Sequence, residues 1–160
     1  MFTVKQAKEA QAYGIPRNYC RRNLNVALLQ FWQNKELGLH NISRKKDMPR
    51  SKAAWKKPLN ECRVEHAVPF TVVVNCLMDM KHLTVKAVTN VLKKWYVVML
   101  VTKEEDLRLL KSGLRYKMPD NWDKKDVFAR YKAVGIVVAG KKKNQIRTLP
   151  RRLTPVGFRV

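Results

Sequence analysis

The most regular stretch of the chain reads YVVMLVTKEEDLRLLK and covers residues 96–111. Its first part, 96–101, is a continuous run of β-prone apolar residues, which predicts a buried strand. From Thr102 onward the pattern is that of a helix over 103–111, and Gly113 is a typical residue for ending it. This stretch therefore predicts a strand that leads directly into a helix.

The flanking sequence adds a second strand and several helices to this unit. Residues 62–68 predict a short strand, and two helical patterns, 71–80 and 84–95, fill the interval before the second strand. Further helices are predicted over 3–13 and from Pro16 to near Gly38, with a short helix over 126–133 and a small strand over 136–139. We expect a small mixed α+β domain with a ββα-like unit: strand 62–68, helical insert, strand 96–101, helix 103–111.

Composition and charge divide the chain into a folded domain and a basic tail. The sequence is 46% hydrophobic, which is enough for a packed core. Residues 1–140 predict a single α+β nucleic-acid-binding domain that carries a basic loop at 41–58, and residues 141–160 predict a basic C-terminal arm.

The net charge of +22, with 34 Lys and Arg against 12 Asp and Glu, indicates a polyanionic partner. A protein this basic repels itself until anions neutralise it, so we expect a complex with nucleic acid, with DNA favoured over RNA. No apolar stretch is long enough to span a membrane, and three scattered cysteines indicate neither a disulfide framework nor a zinc site. We expect a soluble, cytoplasmic protein.

The predicted nucleic-acid contacts lie in the basic loop, in two later Arg-Tyr pairs and in the arm. They are Arg44, Lys45, Lys46, Arg50, Lys52, Trp55, Lys56 and Lys57; Arg115 and Arg130; and Lys141, Lys142, Lys143, Arg147, Arg151 and Arg152. Two alternatives stay open: the loop is a solvated linker, and Trp55 either stacks on a base or anchors the loop on the core.

Candidate chemistry lies at the end of the first strand and the start of the last helix. Glu65 and His66 supply one possible metal ligand and one possible general base, and Glu105 and Asp106 are further carboxylates. If the two strands are neighbours, these groups could converge on one divalent cation, Mg²⁺ or Mn²⁺. The alternative is that Thr102 and Glu105 form a capping box and that His66 is a structural residue.

The segments RVEHAVP (63–69) and VTKEEDLRL (101–109) resemble the first and last parts of the His-Asn-His, or ββα-metal, nuclease motif. The resemblance implies His66 as general base, with Glu65 and Asp106 as metal ligands. Two features depart from the pattern: the insert between the strands is long and helical, and Asn75 and Asn90, the candidates for the middle asparagine, lie on predicted helices.

Two main functions follow from the sequence. The first is a metal-dependent endonuclease that uses His66, and the second is a non-catalytic DNA- or RNA-binding protein, such as a ribonucleoprotein component or a phage DNA-binding factor. A third interpretation is a basic surface that meets an acidic protein. No Gly-rich phosphate loop, nucleophile elbow or His-Glu-x-x-His motif is present to indicate another enzyme class.

Overall fold

A computed structural model describes residues 3–28 and 48–139. In chain order its helices and strands are α1 (Val4–Ala12), α2 (Arg17–Leu28), β1 (Cys62–His66), α3 (Phe70–Asp79), α4 (Val85–Trp95), β2 (Val98–Thr102), α5 (Lys103–Lys111) and α6 (Ala129–Ala133). Short 3₁₀ turns cover Ala54–Lys56 and Leu59–Glu61. The predicted α+β class, with a helical insert between two strands, is confirmed.

The two strands are antiparallel, and their register sets the positions of the candidate residues on β1 relative to the start of α5. Cys62 lies opposite Thr102, and His66 lies opposite Val98. Strand residues alternate between the two faces of a sheet. Val98 and Leu100 accordingly belong to the core on the side of α1–α4, whereas Met99 and Val101 belong to a second core beside α5.

The junction between β2 and α5 matches the sequence prediction because its signals are local. The Thr102 hydroxyl accepts a hydrogen bond from the backbone N–H of Glu105 at 3.1 Å, and the Glu105 carboxylate accepts one from the backbone N–H of Thr102 at 2.8 Å. This is a capping box. Gly113 follows α5 with a φ of 69°, a left-handed conformation that glycine adopts without strain.

The helices before and between the strands cover one face of the sheet. Thr3 and Gln6 form a capping box at α1, and the Thr84 hydroxyl accepts a hydrogen bond from the backbone of Ala87 at the start of α4. Val74 and Leu77 of α3 are buried in the same core as residues of α1, α2 and α4. None of the helices in ranges 3–28 and 48–139 is both long and apolar enough to cross a bilayer.

Part of the predicted basic loop is a component of the sheet edge. Leu100 donates its backbone N–H to the carbonyl of Pro49 at 2.8 Å, and Ser51 donates to the carbonyl of Leu100 at 2.9 Å. On the other side, the N–H of Lys52 meets the carbonyl of Val137 at 2.8 Å. The segment 49–52 therefore lies between β2 and residues 137–139, so this part of the predicted basic loop 41–58 is not the solvated linker of the alternative interpretation.

Several boundaries differ from the sequence predictions. Strand β1 ends at His66 instead of residue 68, β2 is shifted to Val98–Thr102, and α6 begins at Ala129 instead of 126. The predicted strand at 136–139 forms a single bridge, between Val138 and Ser51. The predicted end of the second helix near Gly38 and the arm 141–160 lie outside the described residues.

Candidate nucleic-acid interface

The end of β1 is organised around one buried arginine, Arg130 of α6. Its Nε donates to the carbonyl of Ala67 at 2.9 Å, and its Nη1 donates to the carbonyl of Leu114 at 2.9 Å. Its Nη2 donates to the carboxylate of Glu65 and to the carbonyl of His66. The side chain of Arg130 is fully buried. This burial corrects the prediction that Arg130 contacts phosphate, because its donors are used inside the protein.

Glu65 is the acidic partner in this buried ion pair. Burial raises the pKa of the Glu65 carboxyl, and the Arg130 guanidinium opposes that rise by favouring the ionised form. The carboxylate of Asp106, on the same face of the sheet, also raises the pKa of Glu65. Glu65 therefore holds Arg130 in place, and one of its oxygens is already occupied by a cationic group.

His66 points to the opposite face of the sheet from Glu65. Its ring lies 5.7 Å from the ring of Phe70 and 4.9 Å from the ring of Tyr96, measured between centroids. Burial lowers the pKa of His66 from 6.5 to about 4, and the nearby Arg130 charge acts in the same direction. The Nε2 atom is buried and has no hydrogen-bond partner in the described part of the chain. His66 is therefore neutral at pH 7 and surrounded by aromatic rings.

Asp106 lies between two arginines at the start of α5. Its Oδ2 is 3.6 Å from the Nε of Arg63 and 3.6 Å from the Nη2 of Arg115. The carboxylate is nearly buried, whereas the side chains of Arg63 and Arg115 are 59% and 36% exposed. Two guanidinium groups around one carboxylate leave a positive surface, and guanidinium donors match the geometry of phosphate oxygens.

Glu105, the remaining predicted metal ligand, is committed to structural contacts. Besides capping α5, its Oε2 accepts a hydrogen bond from the hydroxyl of Ser51 at 2.5 Å. Ser51 is fully buried and its hydroxyl also accepts from the backbone N–H of Ala54 at 3.0 Å. The cap interpretation of Glu105 is confirmed, and this carboxylate joins the basic segment to α5.

Each predicted metal ligand, Glu65, Glu105 and Asp106, is already engaged by groups of the protein itself. The predicted general base, His66, lies opposite Val98, four strand residues from the Cys62–Thr102 pair at the start of α5, which is about 13 Å along β1. Glu65 is paired with Arg130 and Asp106 with Arg63 and Arg115, so positive charge already occupies the space beside both carboxylates. Across 3–28 and 48–139, no group of three His, Cys, Asp or Glu side chains is placed to hold a metal.

The basic segment presents cations and one aromatic ring to solvent. The Arg50 guanidinium lies 4.6 Å from the centroid of the Trp55 ring, and the Trp55 side chain is 42% exposed. Lys52 and Lys56 are exposed, whereas Lys57 pairs with Glu61 at 2.9 Å. The ring of Trp55 is therefore open to a stacking partner on its exposed part. Arg44, Lys45, Lys46 and the predicted contacts of the arm, Lys141, Lys142, Lys143, Arg147, Arg151 and Arg152, lie outside the described residues.

Sequence reasoning missed two residues that shape this region. Ser51 appears as one polar residue among lysines, and only its pairing with Glu105, 54 positions away, reveals its role. Arg63 belongs to the quoted motif but was assigned no function; its place two residues before Glu65 puts it on the same face of β1, which was a usable signal.

Comparison of the chain with protein-family models, with curated proteins and with solved structures returns no match.

Proposed function

We propose that this protein binds nucleic acid through a positively charged surface, without a requirement for catalysis. The observation that carries the proposal is the net charge of +22, together with the pairing of acidic side chains with arginines inside the protein. Glu65 pairs with Arg130 near the end of β1, and Asp106 pairs with Arg63 and Arg115 at the start of α5. These two carboxylates are therefore neutralised within the protein and do not offset the remaining positive charge.

Exposed cations without an ion pair in the described ranges occur on several elements. They include Lys5 of α1, Lys52 and Lys56 of the basic segment, and Lys111 of α5. Such side chains gain free energy on binding a polyanion because the condensed counterions of the nucleic acid are released.

Arg63 and Arg115 are the proposed phosphate contacts beside Asp106, and Arg50, Lys52, Trp55 and Lys56 extend the surface along the basic segment. DNA is favoured over RNA as the partner, and a reducing, cytoplasmic compartment is the proposed location, consistent with three free cysteines, Cys20, Cys62 and Cys76. The working complex contains the whole chain, including the basic arm.

The proposal is tested by fluorescence anisotropy with a labelled DNA duplex and with an RNA of the same sequence. Unlabelled nucleic acid should displace the probe much more effectively than polyglutamate at equal charge. Replacement of Arg115 by alanine should weaken binding several-fold and reduce the salt dependence by about one released ion. Arg108→Ala, which removes an exposed arginine from α5, is the matched control. Equal displacement by polyglutamate would contradict a nucleic-acid partner.

The endonuclease stays a prediction, and one observation favours it: the strand, helices, strand, helix order is present, with His66 at the end of β1. The test is incubation of supercoiled plasmid with Mg²⁺ or Mn²⁺, for the unmodified protein and for His66→Ala. Cleavage that is lost in the variant and in excess chelator would support it. No cleavage, or equal cleavage by both proteins, would remove it and leave the binding proposal intact.

A further inference from the structure

A cleft of about 280 Å³ opens between α2 and α3, away from the end of β1. It is lined by Asn18, Arg21 and Arg22 of α2 and by Phe70, Thr71 and Val74 of α3. Small-molecule sites usually measure roughly 300–1,000 Å³, so the volume of this cleft lies just below that range.

The residues that line the cleft in the described part of the chain include two cations and no acid. Helix α2 contains no acidic residue, and neither Arg21 nor Arg22 forms an ion pair with any residue the structure describes. Asp79 lies at the other end of α3 and is paired with Arg17 at 2.7 Å. Two arginines in adjacent positions, with no carboxylate among the described lining residues, favour an anion and suit the oxygens of a phosphate.

One wall of the cleft is an aromatic ring held in a fixed orientation. Phe70 is half-buried, and its ring packs against the ring of His66 and edge-on against the ring of Tyr96, with centroids 6.0 Å apart for the second pair. A ring fixed in this way loses little conformational freedom when a base packs against it. The amide of Asn18 on the opposite wall adds hydrogen-bonding groups.

A second aromatic residue, exposed Tyr116, is joined to the cleft through its backbone. The hydroxyl of Thr71 donates to the carbonyl of Tyr116 at 2.7 Å, which ties the loop after α5 to the rim of the cleft. The side chain of Tyr116 is 67% exposed, and the Arg115 guanidinium lies 5.8 Å from its ring centroid. Two arginines and one aromatic ring line the cleft, and exposed Tyr116 lies on the adjoining loop. This combination suits an unpaired strand, where bases stack and phosphates meet cations.

We propose that the α2–α3 cleft binds an unpaired nucleotide of a single-stranded nucleic acid. Arg21 and Arg22 contact the phosphates, Phe70 packs against the base, and Tyr116 stacks on a neighbouring base. A paired base cannot reach these rings, because both of its faces are covered by stacking within the duplex. This inference rests on the proposed nucleic-acid binding and names one site and one form of the ligand.

The experiment uses the full chain and a single-stranded DNA of about 12 nucleotides, within the usual site size, with 2-aminopurine at its centre. Affinity and 2-aminopurine fluorescence are measured for the unmodified protein, for R21A/R22A and for the control K86A/K93A, which removes equal charge from α4. We expect R21A/R22A to weaken single-strand binding about tenfold more than the control. The slope of log K against log salt concentration should become shallower by about 1.4, since each phosphate contact contributes roughly 0.7. A hairpin duplex of the same sequence should show no difference between the two double variants.

Tyr116→Ala and Tyr116→Phe test the stacking independently of charge. The exposed ring can be removed without disturbing the core, so the quenching of 2-aminopurine should fall in Tyr116→Ala and persist in Tyr116→Phe. An RNA strand of the same sequence identifies which single strand is preferred. Equal affinities for the two double variants, together with unchanged quenching in Tyr116→Ala, would overturn the cleft as the site. Absence of binding to every nucleic acid would instead overturn the proposed function itself.

Discussion

Replacement of Arg130 by alanine removes the group that joins β1, the loop after α5 and α6. In the native protein this fully buried guanidinium is paired with Glu65 and donates to the carbonyls of Ala67 and Leu114. The variant leaves the partly buried Glu65 without its paired guanidinium and leaves carbonyl oxygens without donors. We therefore expect a large loss of stability and a smaller, indirect effect on nucleic-acid binding.

The expected loss in the free energy of unfolding follows from the cost of breaking a buried ion pair. Removing one member of such a pair costs about 3–5 kcal/mol, because an uncompensated charge stays in the interior. Domains are stable by about 5–15 kcal/mol in total, so the loss is a large fraction of the free energy of unfolding. Protonation of Glu65 relieves part of the penalty, since its pKa is already raised by burial.

The assay is equilibrium unfolding in guanidinium chloride, followed by tryptophan fluorescence, for the unmodified protein and Arg130→Ala. Arg108→Ala is the control, because Arg108 is half exposed and its ion pair with Glu105 measures 3.8 Å. We expect this variant to change the free energy of unfolding by no more than about 0.5 kcal/mol. A double-mutant cycle with Glu65→Gln should show a coupling of at least about 1 kcal/mol. A loss below about 1 kcal/mol for Arg130→Ala would refute the buried pair.

Three further predictions concern single residues. The pKa of His66 is about 4 in the folded protein and 6.5 in the unfolded chain, so the unfolded state takes up the proton first as the pH falls. The free energy of unfolding should therefore decrease by about 3 kcal/mol from pH 7 to pH 4. His66→Phe should remove this decrease in parallel denaturation curves, and an unchanged pH dependence would show that His66 is solvated. Thr102→Ala should cost about 1 kcal/mol through the lost cap, with Thr102→Ser close to the native value. Gly113→Ala should cost about 1 kcal/mol at φ 69°, and Gly113→Asn less, by thermal unfolding.

Local signals made one part of the fold predictable. The helix from Lys103 to Lys111 begins and ends where the sequence places it, because Thr102, Glu105 and Gly113 act within one turn of their own positions. The same holds for Thr84 at the start of α4. Helix caps and terminating glycines of this kind can be predicted without knowing the structure of the rest of the chain.

The geometry of the site depends on contacts between residues that are far apart in the sequence, and the hydrophobic periodicity of the sequence does not reveal such contacts. The sequence places Glu65 and His66 side by side, but the register of β1 against β2 directs one to α5 and α6 and the other to Phe70 and Tyr96. Arg130 looks like a surface cation until its pairing with Glu65, 65 positions earlier, is known. A buried arginine and an exposed one carry the same sequence signal.

The salt dependence of binding tests the central claim most directly. The affinity of the full chain for a labelled DNA is measured by anisotropy between about 50 and 200 mM NaCl, the range in which six to ten phosphate contacts change affinity by roughly 10³–10⁵. We predict a linear fall of log K with log salt concentration and a slope steeper than about −4. An affinity that is unchanged across this range, or no binding at the lowest salt concentration, would contradict a protein built to hold a phosphate backbone.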